Sequence, residues 1–270
     1  MWPDPQSVGR ITALFQRYVF LHRRSLIRLF DIGFWPVMDL LIWGFMTRYI
    51  QQTVTGSLAS LIVFLIGAMI AWDVHYRGQQ AVTISLMEEI WTRNIVNLLV
   101  APVRLWEWVT ATFLYSALKV AVVTLILSVL ANLLYAFQLT RVGWVFLPLA
   151  GSLLIFGWSI GLATAGLLLR YGYAAEALVW GIPFLLQPFS CVFYPLESLP
   201  AWAQRIASWL PSTYAFEGLR DAIHGREVPS AIWLYVGGLN ILYLTLGVVL
   251  FLWMFRLARA EGRLGHLGQD

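Results

Sequence analysis

Apolar side chains recur at helical spacing from residue 8 to about 29: Val8, Ile11, Leu14, Phe15, Tyr18, Val19 and Leu26. Arginines fill much of the remainder (Arg10, Arg17, Arg23, Arg24, Arg28), so the stretch predicts an amphipathic helix lying in a headgroup layer, its arginines toward anionic lipid. No unbroken apolar core separates those arginines, which excludes a cleavable signal peptide. Six apolar runs follow, roughly 32–50, 58–76, 109–137, 144–169, 174–193 and 231–255. Each approaches the ~20 residues that cross a ~30 Å hydrocarbon core. The fifth is the least regular, with Gly181, Pro183 and Pro188 inside it. In the fourth, Gly157, Gly161 and Ala165 recur every four residues, a spacing that predicts close packing against a neighbouring helix.

Two connections between the runs carry a pattern of their own. From Arg77 to Trp108, the Ser85–Glu88 capping-box spacing predicts a short helix that ends before Pro102. Met87, Trp91, Ile95 and Leu98 form one stripe of it, and Glu89, Arg93 and Asn97 another; Glu89 and Arg93 are spaced to pair, and Glu88 and Glu89 favour its amino-terminal end. From Tyr194 to Gly225 two helices too short to cross are expected in tandem. Ser198 caps the first, with Trp202, Ile206, Trp209 and Leu210 on one face, and Pro211 stops it. Ser212 caps the second, with Phe216, Leu219 and Ile223 on one stripe and Gly225 as terminator. Trp202, Trp209 and Tyr214 suit interfacial depth, so the pair can dip into a leaflet and return.

Composition turns this pattern into a class. The 270 residues are 60% hydrophobic and only 12% charged, with mean hydropathy +0.73. Soluble domains carry about a quarter charged residues, so the fold class is an all-α integral membrane protein. The net charge of +4 does not point to nucleic acid, because the basic residues cluster at membrane borders. Twelve arginines fall on one side (10, 17, 23, 24, 28, 77, 93, 104, 170, 256, 259 and 263) and five on the other (48, 141, 205, 220 and 226). The positive-inside rule then places both termini in the cytoplasm and the tandem helices outside. The lone Cys191 forms no intrachain disulfide.

Candidate chemistry is sparse. Gly157-Trp-Ser159-Ile-Gly161 matches a nucleophile elbow, but it lies inside an apolar run where the glycines serve packing. Lys119 is the one lysine and no glycine precedes it closely, so the chain has no phosphate-binding loop for ATP. The four histidines lack metal-ligand spacing. Asp39 and Lys119, charged residues inside the first and third runs, fall at similar depth and are a candidate pair. The 14 tryptophans are accounted for mainly by interfacial belts.

The order of elements, the inner segment "LLVAPVRLWEW" and the outer segment "FYPLESLPAWAQRIASWLPSTYAFEGLRD" resemble the type-2 ABC exporter permeases, the membrane subunits of polysaccharide, lipid and drug exporters. The strongest match runs from Phe193-Tyr194-Pro195 through Leu199-Pro200-x-Trp202, then Leu210-Pro211-x-Thr213-Tyr214 and Glu217-Gly218-x-Arg220. The resemblance implies a single transmembrane domain over 1–270: a connecting helix at 1–30, spans one to five over 31–193, outer gate helices at 194–230, span six at 231–256 and a cytoplasmic tail at 257–270. It implies a coupling helix near Ser85–Val100, with Glu88, Glu89, Trp91, Arg93 and Asn97 meeting an ATPase, and an outer gate containing Tyr194, Pro195, Trp202, Trp209 and Tyr214. The implied partners are a second copy of the chain, two copies of a nucleotide-binding ATPase that alone binds ATP and Mg2+, and the lipids of an inner membrane. Export would be no enzymatic property of this chain itself. The competing expectation is an ion-driven secondary transporter, which would use midplane acids such as Asp39 without an ATPase.

Overall fold

A computed structural model of the chain describes residues 5–53 and 59–265, so the expected start of the second run at Leu58 and the end of the tail, with His266, lie outside the described residues. Among the described residues every regular element is helical. In chain order these are α1 (Pro5–Arg23), α2 (Leu26–Thr53), α3 (Ala59–Trp91), α4 (Ile95–Val100), α5 (Leu105–Tyr135), α6 (Phe146–Tyr171), α7 (Glu176–Leu186), α8 (Ala201–Ala207), α9 (Pro211–Ile223) and α10 (Ser230–Ala260). Among the described residues four stretches are long and apolar enough to cross a bilayer: Leu26–Ile50, Leu105–Tyr135, Val142–Phe189 and Ser230–Ala260. The chain is therefore a multi-pass membrane protein.

The central helix is α6, with α3 on one side and α10 on the other. Two absent side chains set those distances. A Cβ on Gly157 would collide with the His75 carbonyl oxygen of α3, and one on Gly247 of α10 would meet the carbonyl of Ser159. In lipid no hydrophobic force drives helices together, so close backbone approach is what supplies the dispersion contact. The glycine stripe expected from spacing is thus the α3-facing side of α6, with Ala165 fully buried on the same helix.

Expectations for three segments are corrected. The amphipathic stretch is not one helix to Leu29: it breaks at Arg24–Ser25, and Arg28 belongs to α2. Its arginines do not all face lipid either. Arg10 and Arg17, seven residues apart, share a face with Leu14 and reach carboxylates of the bundle. The fifth run is not one unbroken helix, as α7 has 11 residues, about 17 Å at ~1.5 Å per residue. It gives way to a 3-10 turn at Gln187–Phe189 and a left-handed Cys191. In the tandem pair, finally, the serines are not caps. Pro200 and Leu210 occupy those positions, and Pro211, read as a stop, opens α9, where its missing N–H costs nothing. Ser212 instead donates its hydroxyl to Ser190 Oγ at 2.9 Å. Gly225 does end α9, at φ +70°.

Candidate functional site

The inner connection is built differently from the expected helix. Span two does not stop near residue 76; α3 continues to Trp91, 33 residues in all, about 50 Å at ~1.5 Å per residue. Ser85 sits within it and donates to the Ala81 carbonyl at 2.6 Å, so the capping box is not used. Glu88 and Glu89 consequently lie at the negative end of a helix, not at its start, where carboxylates are disfavoured. Arginines offset this. Arg17 grips Glu89 with two contacts, Nη1–Oε1 at 2.7 Å and Nη2–Oε2 at 2.9 Å, and Arg28 lies 3.6 Å from Glu88. Burial raises the Glu88 carboxyl above its usual range, and the Arg28 charge opposes that shift.

With Glu89 buried against Arg17, the expected Glu89–Arg93 pair does not form. Arg93 has another role: its φ of +56° turns the chain, and the Asn94 N–H reaches back to the Glu89 carbonyl at 2.8 Å. Asn94, which the sequence pattern did not single out, also donates from Nδ2 to Glu89 Oε2 and accepts from Asn97 Nδ2 at 3.0 Å. The six-residue α4 follows and ends before Pro102 as expected. Its Ile95 is buried, whereas its Val96, Asn97 and Val100, and Trp91 at the end of α3, are exposed, Val100 at 81%. A left-handed L-residue costs roughly 1–2 kcal/mol. Arg93→Gly is therefore expected to leave the unfolding midpoint unchanged or higher, and Arg93→Val to lower it; a lower midpoint for the glycine variant would refute the assignment.

Helix α1 is locked beneath this region. Tyr18 is fully buried and accepts from Trp108 Nε1 at 2.8 Å, while Arg10 meets Glu107 at 3.2 Å. Burial and the neighbouring Glu89 push the Tyr18 phenol up to about 12, so it stays neutral. The links join α1 to the end of α3 and the start of α5, the two elements that frame α4.

At the opposite end, the residues of the outer segment act as ties. Glu217 accepts from the Leu196 N–H at 2.9 Å and pairs with Arg220 at 2.7 Å; Arg220 donates to the Cys191 carbonyl and lies 4.5 Å over the Phe64 ring. Thr213 donates to the Ala207 carbonyl at 2.7 Å, which fixes the angle between α8 and α9. The Tyr194 hydroxyl donates to the Pro188 carbonyl, Tyr214 donates to Ser208 O and stacks on Tyr235 at 4.6 Å, and Pro195 begins the turn that precedes α8. The stripe expected on α9 is buried through Phe216 and Leu219. The stripe on α8 faces out: Trp202 is 61% and Trp209 64% exposed, and only Leu210 of that set is buried.

Asp39 is exposed on α2 and Lys119 partly buried on α5. The structure brings both within electrostatic reach of a buried pair on α3 that sequence reasoning missed, Asp73 and Arg77. Arg77 Nε contacts both Asp73 oxygens, at 2.9 and 2.8 Å, and the two residues are 7% and 8% exposed. Asp73 falls inside the second apolar run, and its i,i+4 spacing to Arg77 was the available signal. One turn further, Gln79 and Gln80 both donate to the Val179 carbonyl, at 3.2 and 3.0 Å. That carbonyl is orphaned because Pro183, four residues on, has no N–H to offer it. A proline break in α7 and a glutamine pair in α3 are thus one construction.

Ser159 of the apparent nucleophile elbow lies mid-helix in α6 and donates to the Ile155 carbonyl at 2.8 Å, a packed hydroxyl rather than a nucleophile. Comparison with known proteins agrees with a transport architecture. Residues 45–257 match the model of the ABC-2 family transporter proteins. Over 108 residues the chain is 27% identical to the capsule polysaccharide export inner-membrane protein BexB of Haemophilus influenzae, a match that covers 37% of this chain and 40% of that protein. As the family match takes in most of the chain, from the middle of α2 to the end of α10, this protein belongs to the ABC-2 family of transporter membrane proteins.

Proposed function

We propose that the chain is the membrane subunit of an ATP-driven exporter that moves a polysaccharide or lipid-linked substrate out of the cytoplasm. Membership of the ABC-2 family carries the transport class. The partial likeness to a protein named for capsule polysaccharide export supports the substrate class. In this reading the chain crosses the inner membrane six times, the broken α7 and its continuation forming the fifth crossing and α8–α9 the outer gate. Two copies form the conduit at their interface, and two ATPase subunits bind ATP and Mg2+ below.

The observation that carries the coupling assignment is α4. A six-residue helix with Val96 and Val100 exposed, beside the exposed Trp91 at the end of α3 and an ion-paired base, is suited to be covered by a partner. A Trp-centred anchor with polar neighbours is the usual make-up of a binding hot spot. ATP binding would draw the ATPases together and push α4; its anchorage to α1, α3 and α5 passes that push into the bundle. Trp91→Ala/Val100→Asp is expected to reduce ATPase co-purification at least tenfold, or to leave ATP hydrolysis without export, with an unchanged unfolding midpoint. Wild-type ATPase binding and export by that variant would sink the assignment. Export driven by an ion gradient with no ATPase would favour the ion-driven reading, for which Asp39, Asp73 and Lys119 would supply the charges.

The orientation is tested separately. Single cysteines at Gln138 and Glu227, both exposed, are expected to label from outside, and one at Thr92 only after permeabilisation. The native Cys191 is buried and should not compete. The reverse pattern would invert the topology and remove α8–α9 from the outer face.

A further inference from the structure

Behind α4, where α5 begins and α6 and α10 end, lies a cleft of about 330 Å3, within the ~300–1,000 Å3 range of small-molecule sites. Its wall is apolar: Ile95, Trp108, Leu169, Phe251, Phe255 and Leu264. Its rim carries two cations, Arg104 and Arg259, both exposed. The acids closest to them in sequence are engaged elsewhere. Glu107 takes Arg10 on one oxygen and the Arg104 backbone N–H on the other, and Glu261 is shared by Arg170 and Arg263. Among the described residues neither rim guanidinium is in an ion pair.

We propose that this cleft binds one anionic phospholipid, an acyl chain against Phe251 and Phe255 and the phosphate between Arg104 and Arg259. Three observations on the molecule favour a lipid. The cleft opens where two candidate spans, Leu105–Tyr135 and Ser230–Ala260, pass from apolar to charged sequence, the level of the headgroups. The half-exposed Trp106 sits at that level, as interfacial tryptophans do. The two guanidinia, with no carboxylate to satisfy them, match a phosphate, which arginine binds in fork geometry. Val96 and Val100 of α4 do not line the cleft, whereas Ile95, Leu98 and Leu99 do, so the lipid would lie against one side of that short helix and leave Val96 and Val100 to an ATPase. A chain in the cleft would brace α4 from behind.

The test needs neither ATPase nor transport substrate, so its result is independent of the exporter assignment. The purified protein is equilibrated with mixed phosphatidylglycerol and phosphatidylcholine vesicles, re-isolated in mild detergent, and its retained lipid measured by native mass spectrometry. The parent is expected to keep one phosphatidylglycerol per chain in preference to phosphatidylcholine. Arg104→Gln/Arg259→Gln should lower that retention at least tenfold at an unchanged unfolding midpoint. Leu169→Trp, which fills the cleft and spares both arginines, should do the same; should it misfold, the arginine variant decides alone. Equal retention of the two lipids by the parent overturns the proposal. So does undiminished phosphatidylglycerol in the arginine variant, including the case in which that variant loses only ATPase binding and the cleft proves to be a protein contact.

Discussion

Arg77→Gln is expected to lower stability by about 3–5 kcal/mol, because it leaves the Asp73 carboxylate buried without its partner. Asp73 has both oxygens on a single Arg77 nitrogen and little access to water. Asp39 adds a second negative charge within reach, so loss of the guanidinium leaves like charges facing each other, with Lys119 the remaining cation nearby. The double variant Asp73→Asn/Arg77→Gln should recover most of the loss, since an uncharged pair carries no such penalty. Detergent-solubilised protein unfolded with denaturant measures the cycle. Additive effects would mean that the two residues act independently and that the ion pair is incidental. Lys119→Met is expected to cost less than Arg77→Gln, as Lys119 acts on Asp73 only through space.

The second large effect concerns the break in α7. Replacing Gln79 and Gln80 together by Leu strips both donors from the Val179 carbonyl, a group buried between α3 and α7. An unsatisfied buried carbonyl costs about 1–3 kcal/mol, so a loss of that size is expected. The diagnostic step is the rescue. Pro183→Ala restores a backbone N–H four residues beyond Val179, and in the double-leucine background it should return most of the lost stability. In the parent, where the glutamines already supply donors, the same substitution should change little. If Pro183→Ala fails to rescue, the glutamines serve some purpose other than satisfying that carbonyl.

The residues alone were enough for the helical class, the membrane solvent, the presence of several long apolar stretches and the glycine face of α6. These follow from period and composition, which one helix carries within itself: an apolar run of sufficient length has no alternative in lipid but to satisfy its own backbone. The sequence also placed the end of α4 before Pro102 and the terminator at Gly225, both consequences of local backbone chemistry. The tertiary structure decided the partners. Glu89 and Arg93 are correctly spaced for a helical pair, yet α3 runs on to Trp91 and Arg17, 72 residues away, takes the carboxylate. Spacing reports only candidates within a helix, whereas a long arginine on a packed neighbour competes at the same distance with better desolvation. The Ser198 and Ser212 caps failed because neither serine stands at a helix boundary: α8 begins after Pro200, two residues past Ser198, and α9 begins at Pro211, which leaves Ser212 inside the helix. The bond between Val179 and two glutamines nearly a hundred residues away became visible only once α3 lay against α7, and the burial of the i,i+4 pair Asp73–Arg77 only once the bundle had closed around α3. An i,i+4 spacing or a proline marks a candidate in sequence, but the cost of burial that decides which partner is taken exists only in the folded interior.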